Sequence, residues 1–517
     1  MKKFYLLLSL FVLNSICVCA DTFEDENYGF LYEITSSNTV KVVWEGLSTY
    51  KSYSGEIIIP ETVTHNGTTY TVTAVSSPND YTYHVSFTQV SLTIPATVEL
   101  SERNFDGFES AGLISVTYLG TSIPDECFSQ NGGLKTINLP NVTELGNKCF
   151  YFCKSLVSLD LPNAITLGDY CFYYCTSLTN INLPNVSTLG YRCFRNCENI
   201  EYISLPNATT LGEDCFYECT YLESVDIPNV TEIGDNCFYE CKFLSSINAP
   251  SVTKLGYASF YDCYCLASID LPSITKLGEY CFRNSNIGTI NLPNAIEAGY
   301  GCFSESERTK TIYMPNVTTL GPLCFRYCTG LTSVDVSNAE ELEYQCFQYC
   351  NSLESINLPK ATILGDMCFD ACYALSSIDI PNATELGYSC FENCNPTTII
   401  LPTATDLGED CFTGCSNLTD IYVLPTTPPE AYENSFDDTT YEKATLHVVE
   451  TAVDTYKATS PWSKFFNITS DFTASGIDDL TIDSNLDNAD IFDLGGRKQN
   501  KLQRGVNIVN GKKVLVQ

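Results

Sequence analysis

Apolar and polar residues alternate over short stretches of this chain, and each stretch returns after 22 residues. One unit reads Leu161-Pro162-Asn163-Ala164-Ile165-Thr166-Leu167-Gly168, then Asp169-Tyr170-Cys171-Phe172-Tyr173-Tyr174-Cys175, then Thr176-Ser177-Leu178-Thr179-Asn180-Ile181-Asn182; Leu183 opens the next. Leu178, Ile181 and Leu183 alternate with polar neighbours, which predicts a short strand that points them inward and Asn182 outward. Proline follows the strand and ends the ladder, since it has no N–H to donate. These prolines fall at Pro140, Pro162, Pro184, Pro206, Pro228, Pro250, Pro272, Pro293, Pro315, Pro359, Pro381, Pro402 and Pro425; only Ser337 breaks the series, and three intervals are off by a single residue. A fixed period in the twenties predicts a solenoid, whose units bury their apolar side only against their neighbours. About fifteen units fit between Ile94 and Leu424, and with strands ~4.8 Å apart the array would be on the order of 70 Å long.

The spacing Leu-x-x-Leu-x-Leu is that of a leucine-rich repeat. The expected fold is therefore a leucine-rich-repeat solenoid, β-rich and of α/β type. It has a parallel sheet on one face, short turns or helical segments opposite, a β-rich N-terminal cap and a small C-terminal strand module. Phenylalanine forms a second column, from Phe128, Phe150 and Phe172 through Phe391 to Phe412. Stacked along the axis it predicts an aromatic spine, each ring adding about 1.5–3 kcal/mol by burial. Gly168 and its equivalents, Gly146 and Gly190 among them, are expected to supply the corner through their backbone freedom.

Cysteine occupies two further columns, one before each phenylalanine and one four residues later, with Cys265 in neither. Three readings compete. Buried thiols are small apolar fillers, and Ser259, Ser285 and Ser306 at column positions fit a size requirement. Disulfides suit an exported chain, but each column offers every cysteine two equivalent neighbours. Metal binding by Cys-x₃-Cys lacks histidine partners inside the array, so no metal or cofactor is expected.

Outside the array the period lapses. Residues 1–20 carry Lys2 and Lys3, an apolar run and Val18-Cys19-Ala20, the pattern of a cleavable signal peptide. Residues 21–93 alternate like antiparallel strands with a turn at Asn66-Gly67 and are expected to cap one end of the array at 94–425. Residues 426–472 close the other end. An acidic linker, 473–490, leads to a small strand module at 491–517.

Net charge is −35, and −37 once the two leader lysines are removed. That excess of carboxylates argues against nucleic-acid partners, and no later stretch reaches the length of a membrane helix. The only histidines, His65, His84 and His447, lie outside the array, and no nucleophile–base pairing or phosphate loop is visible, so no enzyme is expected. What remains is surface. The outward strand position reads Asn138, Asp160, Asn182, Ser204, Asp226, Asn248, Asp270, Asn291, Tyr313, Asp335, Asn357, Asp379, Ile400, Tyr422. No two aspartates are adjacent, which avoids like charges across neighbouring strands. This polar face is the candidate ligand surface, with Tyr313 and Tyr422 as expected contact points because aromatics anchor interfaces. Glycosylation triplets such as Asn185-Val186-Ser187 recur with the repeat and weigh little.

The pattern Leu-x-x-Ile-x-Leu-Pro-x-x-Val-Thr-x-Leu-Gly-x-x-Cys-Phe-x-x-Cys resembles the BspA-like leucine-rich repeat surface proteins of anaerobic bacteria and some protozoa. The segment Glu56-Ile57-Ile58-Ile59-Pro60 is similar to that family as well. Its members commonly carry alanine at the position of Cys171, as a small core residue would allow. Gly495-Gly496-Arg497 to Gln517 is similar to C-terminal tails of secreted Bacteroidota proteins, some of which are sorting signals. The resemblance implies a secreted or cell-surface protein, outer-membrane associated, that binds a host or bacterial surface protein or glycan. A structural surface-layer role without a specific ligand is the alternative.

Overall fold

The computed structural model describes residues 21–25, 29–44, 51–77, 85–108 and 112–470, and four further strands, Ile491–Asp493, Lys498–Gln499, Gly505–Val509 and Lys512–Val516. The expected signal segment, the acidic linker and Gly495-Gly496-Arg497 lie outside the described residues. The chain winds into a parallel β-solenoid of about 17 turns with little helix. Each coil contributes a three-residue strand such as Ser158–Asp160 to one face, in register with Asn180–Asn182 of the next coil. It contributes a two-residue strand such as Thr166–Leu167 to another face. The second face is the longer sheet, fifteen parallel strands from Ser122–Ile123 to Glu430–Ala431. Among its described residues the array holds turns and no helical segment opposite its strands.

One contiguous core fills the coils. The phenylalanine spine runs through it, and every ring from Phe128 to Phe412 is fully buried. Successive rings lie parallel, as in Phe194 on Phe216 at 5.6 Å and 1° and Phe347 on Phe369 at 5.2 Å and 3°. The spine extends one coil beyond the repeat at each end, through Phe105 on Phe128 and Phe412 on Phe436. There the rings turn edge-on. Trp44 meets Phe105 at 71°, and Tyr441, Trp462 and Phe465 surround Phe436 at 63–73°. Edge-to-face packing offers no new parallel face, so each cap ends the pile.

At the N-terminal end, strands β1 (Thr22–Glu24), β2 (Leu31–Ile34), β3 (Thr39–Val43), β6 (Thr68–Val75) and β5 (Thr62–His65) form a sheet in the order β1-β2-β3-β6-β5. The β5–β6 hairpin turns at Asn66-Gly67, whose φ values are 49° and 79°. Both positive values mark a primed turn. Not every pair is antiparallel as the alternation suggested. Strand β4 (Lys51–Ile58) pairs parallel with β7 (Val85–Ile94), and β7 with β8 (Leu113–Tyr118), so the stack starts at β4. The reason is in the sequence: Ile57-Ile58-Ile59-Pro60 and Leu92-Thr93-Ile94-Pro95 share the strand-then-proline order of the repeat. Helices α1 (Asp438–Lys443) and α2 (Val453–Ala458) flank the strand Thr445–Val448 at the other end.

The corner is built differently from expectation. The column glycines adopt no left-handed conformation; a Cβ on Gly168 would instead lie 2.6 Å from the Gly146 carbonyl carbon. Glycine is required there because coils touch backbone to backbone. The left-handed positions are the residues just before the cysteines, such as Lys148 (φ 54°), Phe152 (58°), Tyr170 (55°) and Tyr174 (58°). Each costs about 1–2 kcal/mol outside glycine. In return the turn aims alternate N–H groups along the axis: Lys148 N to Asp169 O at 2.7 Å, Phe150 N to Cys171 O at 2.9 Å and Phe152 N to Tyr173 O at 2.8 Å.

Candidate binding surfaces

Side chains, too, are spent first on stacking. Cysteines of the second column donate to the phenylalanine carbonyl of the preceding coil, Cys175 Sγ to Phe150 O at 3.2 Å and Cys197 Sγ to Phe172 O at 3.0 Å. Ser285 and Ser306 keep the same bond to Phe260 and Phe282 at 2.5 and 3.1 Å. The column therefore selects a small donor and not only a small volume. All described cysteines are free thiols, and all but Cys265 are buried. Burial pushes the Cys153, Cys328 and Cys415 thiols from 9.0 up to about 12, which suppresses the reactive thiolate. The asparagine that follows most of the column prolines is likewise engaged: Asn185 Nδ2 donates to Pro162 O at 2.6 Å and Asn207 Nδ2 to Pro184 O at 2.7 Å. In these glycosylation triplets the amide nitrogen is already part of the stack.

The strand face carries the outward ladder. Asn182 Nδ2 donates to Asp160 Oδ1 at 2.8 Å; Asp226 accepts from Ser204 Oγ at 3.1 Å and from Asn248 Nδ2 at 2.7 Å. Asp270, Asn291 and Asn357 are exposed, while Asp335 and Asp379 are half-buried. Tyr313 stands 48% exposed between Asn291 and Asp335. Tyr422 does not join them. It is buried, stacked at 4.3 Å on His447, whose ring Nε2 lies 2.9 Å from Asp420 Oδ1. The strand Thr445–Val448 pairs beside it and sets His447 directly opposite. Tyr422 is thus a cap residue and not a contact point.

Unlike the fifteen-stranded sheet, the strand face is divided. Its hydrogen-bonded ribbons end after Asn138, Asn182, Asn248, Asp335 and Asp379. At the last four divisions the inward residue of the strand before the break, Ile181, Ile247, Val334 or Ile378, is only partly covered, whereas Ile137 at the first is buried. The division after Asn182 forms a groove of about 270 Å³ lined by Asp160, Asn180, Ile181, Asn182 and Tyr202 among others. Apolar floor and amide or carboxylate walls are the make-up of a site for an amphipathic ligand.

Two aromatic surfaces escaped the sequence reading. Along the turn edge, Tyr217, Tyr239 and Tyr261 stack at 4.6 and 4.7 Å. Arg195 lies 3.7 Å over Tyr217 and pairs with Asp214 at 2.7 Å, as Arg192 does. The carboxylate Asp214 pairs with both guanidinium groups here, and among the described residues of this edge only Arg195 Nε is left buried without a hydrogen-bond partner. The other surface lies at the entrance to the strand face, where Tyr221 and Phe243 stack at 5.3 Å and stay 49% and 46% exposed. Both sit at a turn position held elsewhere by serine or asparagine, such as Ser177 and Asn199, so only their departure from the column could have signalled them.

The model of the BspA type leucine rich repeat region, six copies long, matches residues 98–222, 143–266, 209–332 and 340–456. The chain belongs to this family. Among solved structures it is similar to a leucine-rich repeat protein from Bacteroides ovatus, at 21% identity over 81% of this chain and 98% of that one, with a TM-score of 0.49. A leucine rich cell surface protein from Faecalibacterium prausnitzii matches at 20% identity over 78% and 94%, with a TM-score of 0.34. The pneumococcal vaccine antigen PcpA matches at 18% over 87% and 97%, with a TM-score of 0.32. No curated protein matches.

Proposed function

We propose that this BspA-type repeat protein is an exported, non-enzymatic binding protein whose strand face engages a surface protein or glycan. The observation that carries the reading is the divided strand face. Its polar ladder is held rigid by coil-to-coil hydrogen bonds, and partly covered aliphatic side chains lie at four of the five divisions. Preorganised polar groups beside apolar patches lower the entropic cost of binding. The leader-like residues 1–20 support export, and no helix among the described residues is long and apolar enough to cross a membrane.

Purified protein displayed to glycan and extracellular-matrix arrays is expected to give saturable binding. Tyr313→Ala should weaken it by roughly tenfold, as for an exposed aromatic anchor, with the unfolding temperature unchanged. An array without hits, together with ordered lattices of the protein on cells, would instead establish a structural surface layer.

A further inference from the structure

Exposed apolar side chains gather at one corner of four consecutive coils. Tyr202 (51% exposed) opens its strand in register with Ser224, and Tyr221 (49%) lies three residues ahead of Ser224. Phe243 (46%) stacks on Tyr221 one coil on, and Cys265, the exposed thiol, holds the same position in the following coil beside Tyr264 (38%). Each turn hydrogen-bonds to the coil before it, Tyr221 N to Glu198 O, Phe243 N to Thr220 O and Cys265 N to Lys242 O, at 3.0–3.2 Å. The patch is therefore fixed in place before anything binds.

Its rim has one sign. Glu198, Glu201 and Glu223 are exposed, and Glu218, Glu240 and Asp262 partly so. Lys242 is the lone cation, and it is already paired with Glu240 at 3.0 Å. Burial raises the Asp262 carboxyl, which accepts from Asn284 Nδ2 at 2.9 Å, so the rim's exposed negative charge rests on Glu198, Glu201 and Glu223. This is unlike the tyrosine–arginine edge, where guanidinium groups are matched by carboxylates. Contiguous exposed aromatics rimmed by charge mark a docking site, and the sign of the rim selects the partner's sign.

We propose that this corner docks a cationic polypeptide segment, one that inserts an aliphatic side chain beside Phe243 and lays lysine or arginine against Glu198, Glu201 and Glu223. The inference deepens the binding reading above by naming a partner class, yet uses residues distinct from Tyr313.

The probe is a short synthetic peptide of alternating lysine and leucine, titrated against the full chain and compared with lysine–serine and glutamate–leucine peptides. The lysine–leucine peptide alone should bind tightly. Tyr221→Ser with Phe243→Ser, and separately Glu198→Gln, Glu201→Gln and Glu223→Gln together, should each weaken it by roughly tenfold. Saturating peptide should also slow iodoacetamide alkylation of Cys265, read by peptide mass, while Tyr313→Ala leaves all of this unchanged. The charge variants touch no core residue, so they report even where the aromatic pair disturbs folding. Equal affinity for the lysine–serine peptide, unchanged affinity in the variants, undiminished Cys265 reactivity, or a dimer in light scattering that occupies the patch would each overturn the proposal. Glycan binding lost with Tyr313→Ala beside such a result would leave the strand-face reading standing.

Discussion

At the scale of single residues, the repeat is a list of atoms that each coil owes to the one before it. The second cysteine column shows this best, because a thiol, the weakest of the small donors, recurs where alanine would fill the space. Its carbonyl partner, Phe150 O for Cys175, also accepts from Cys153 N in its own turn at 3.2 Å. The thiol thus completes a carbonyl that would otherwise carry one buried lone pair unsatisfied. Cys175→Ser keeps a donor, as Ser285 does in the native chain, and should cost under about 1 kcal/mol. Cys175→Val loses the donor and adds bulk to a closed core, at about 1–3 kcal/mol. Thermal unfolding of the two variants separates the cases. Equal losses would mean that the column selects on volume alone.

At the scale of elements, two kinds of position that look alike in sequence differ in space. A Cβ on Gly168 meets the Gly146 backbone at 2.6 Å, whereas on Gly234 its nearest neighbour is Glu213 at 3.4 Å. Gly168→Ala should therefore lower the unfolding temperature markedly, since backbone cannot move aside. Gly234→Ala should be close to neutral or gain a few tenths of a kcal/mol, about what is expected from a less flexible unfolded chain. Similar shifts for both would show that the coils part easily. The period, the phenylalanine spine and the polar strand face were legible because period-two alternation and a fixed repeat survive any packing detail. The fifteen-stranded sheet was not, since a strand as short as Thr166–Leu167 offers a single inward residue and no alternation to read. Nor were the left-handed corners, which here are filled by Lys148, Phe152 or Tyr170 and not by glycine. Tyr422 misled for another reason: Asp420-Ile421-Tyr422-Val423 reads like every other strand, and its cover comes from His447 in a segment outside the repeat.

At the scale of the whole molecule, one apolar interior couples all the coils, so any term repeated in each coil is multiplied along the rod. Ionisation of the buried thiols is such a term. In the folded chain Cys153, Cys328 and Cys415 are held up to about 12 by burial, against 9.0 for an unburied thiol. Between those values the unfolded chain releases protons that the folded chain retains. Stability is therefore full below about pH 9 and falls as pH rises toward 12, by up to ~1.4 kcal/mol per pH unit for each such thiol. The buried tyrosines Tyr441 and Tyr456, also raised by burial, act in the same direction at still higher pH. The unfolding temperature should accordingly stay level from about pH 6 to 8 and drop steeply above about 9. Replacing Cys153, Cys328 and Cys415 by serine removes three titrating groups while keeping three donors. The alkaline slope should then become shallower with the neutral plateau nearly unmoved. Identical slopes in the two proteins would show that the thiols exchange protons with solvent as freely folded as unfolded, and that the coils do not form a closed interior.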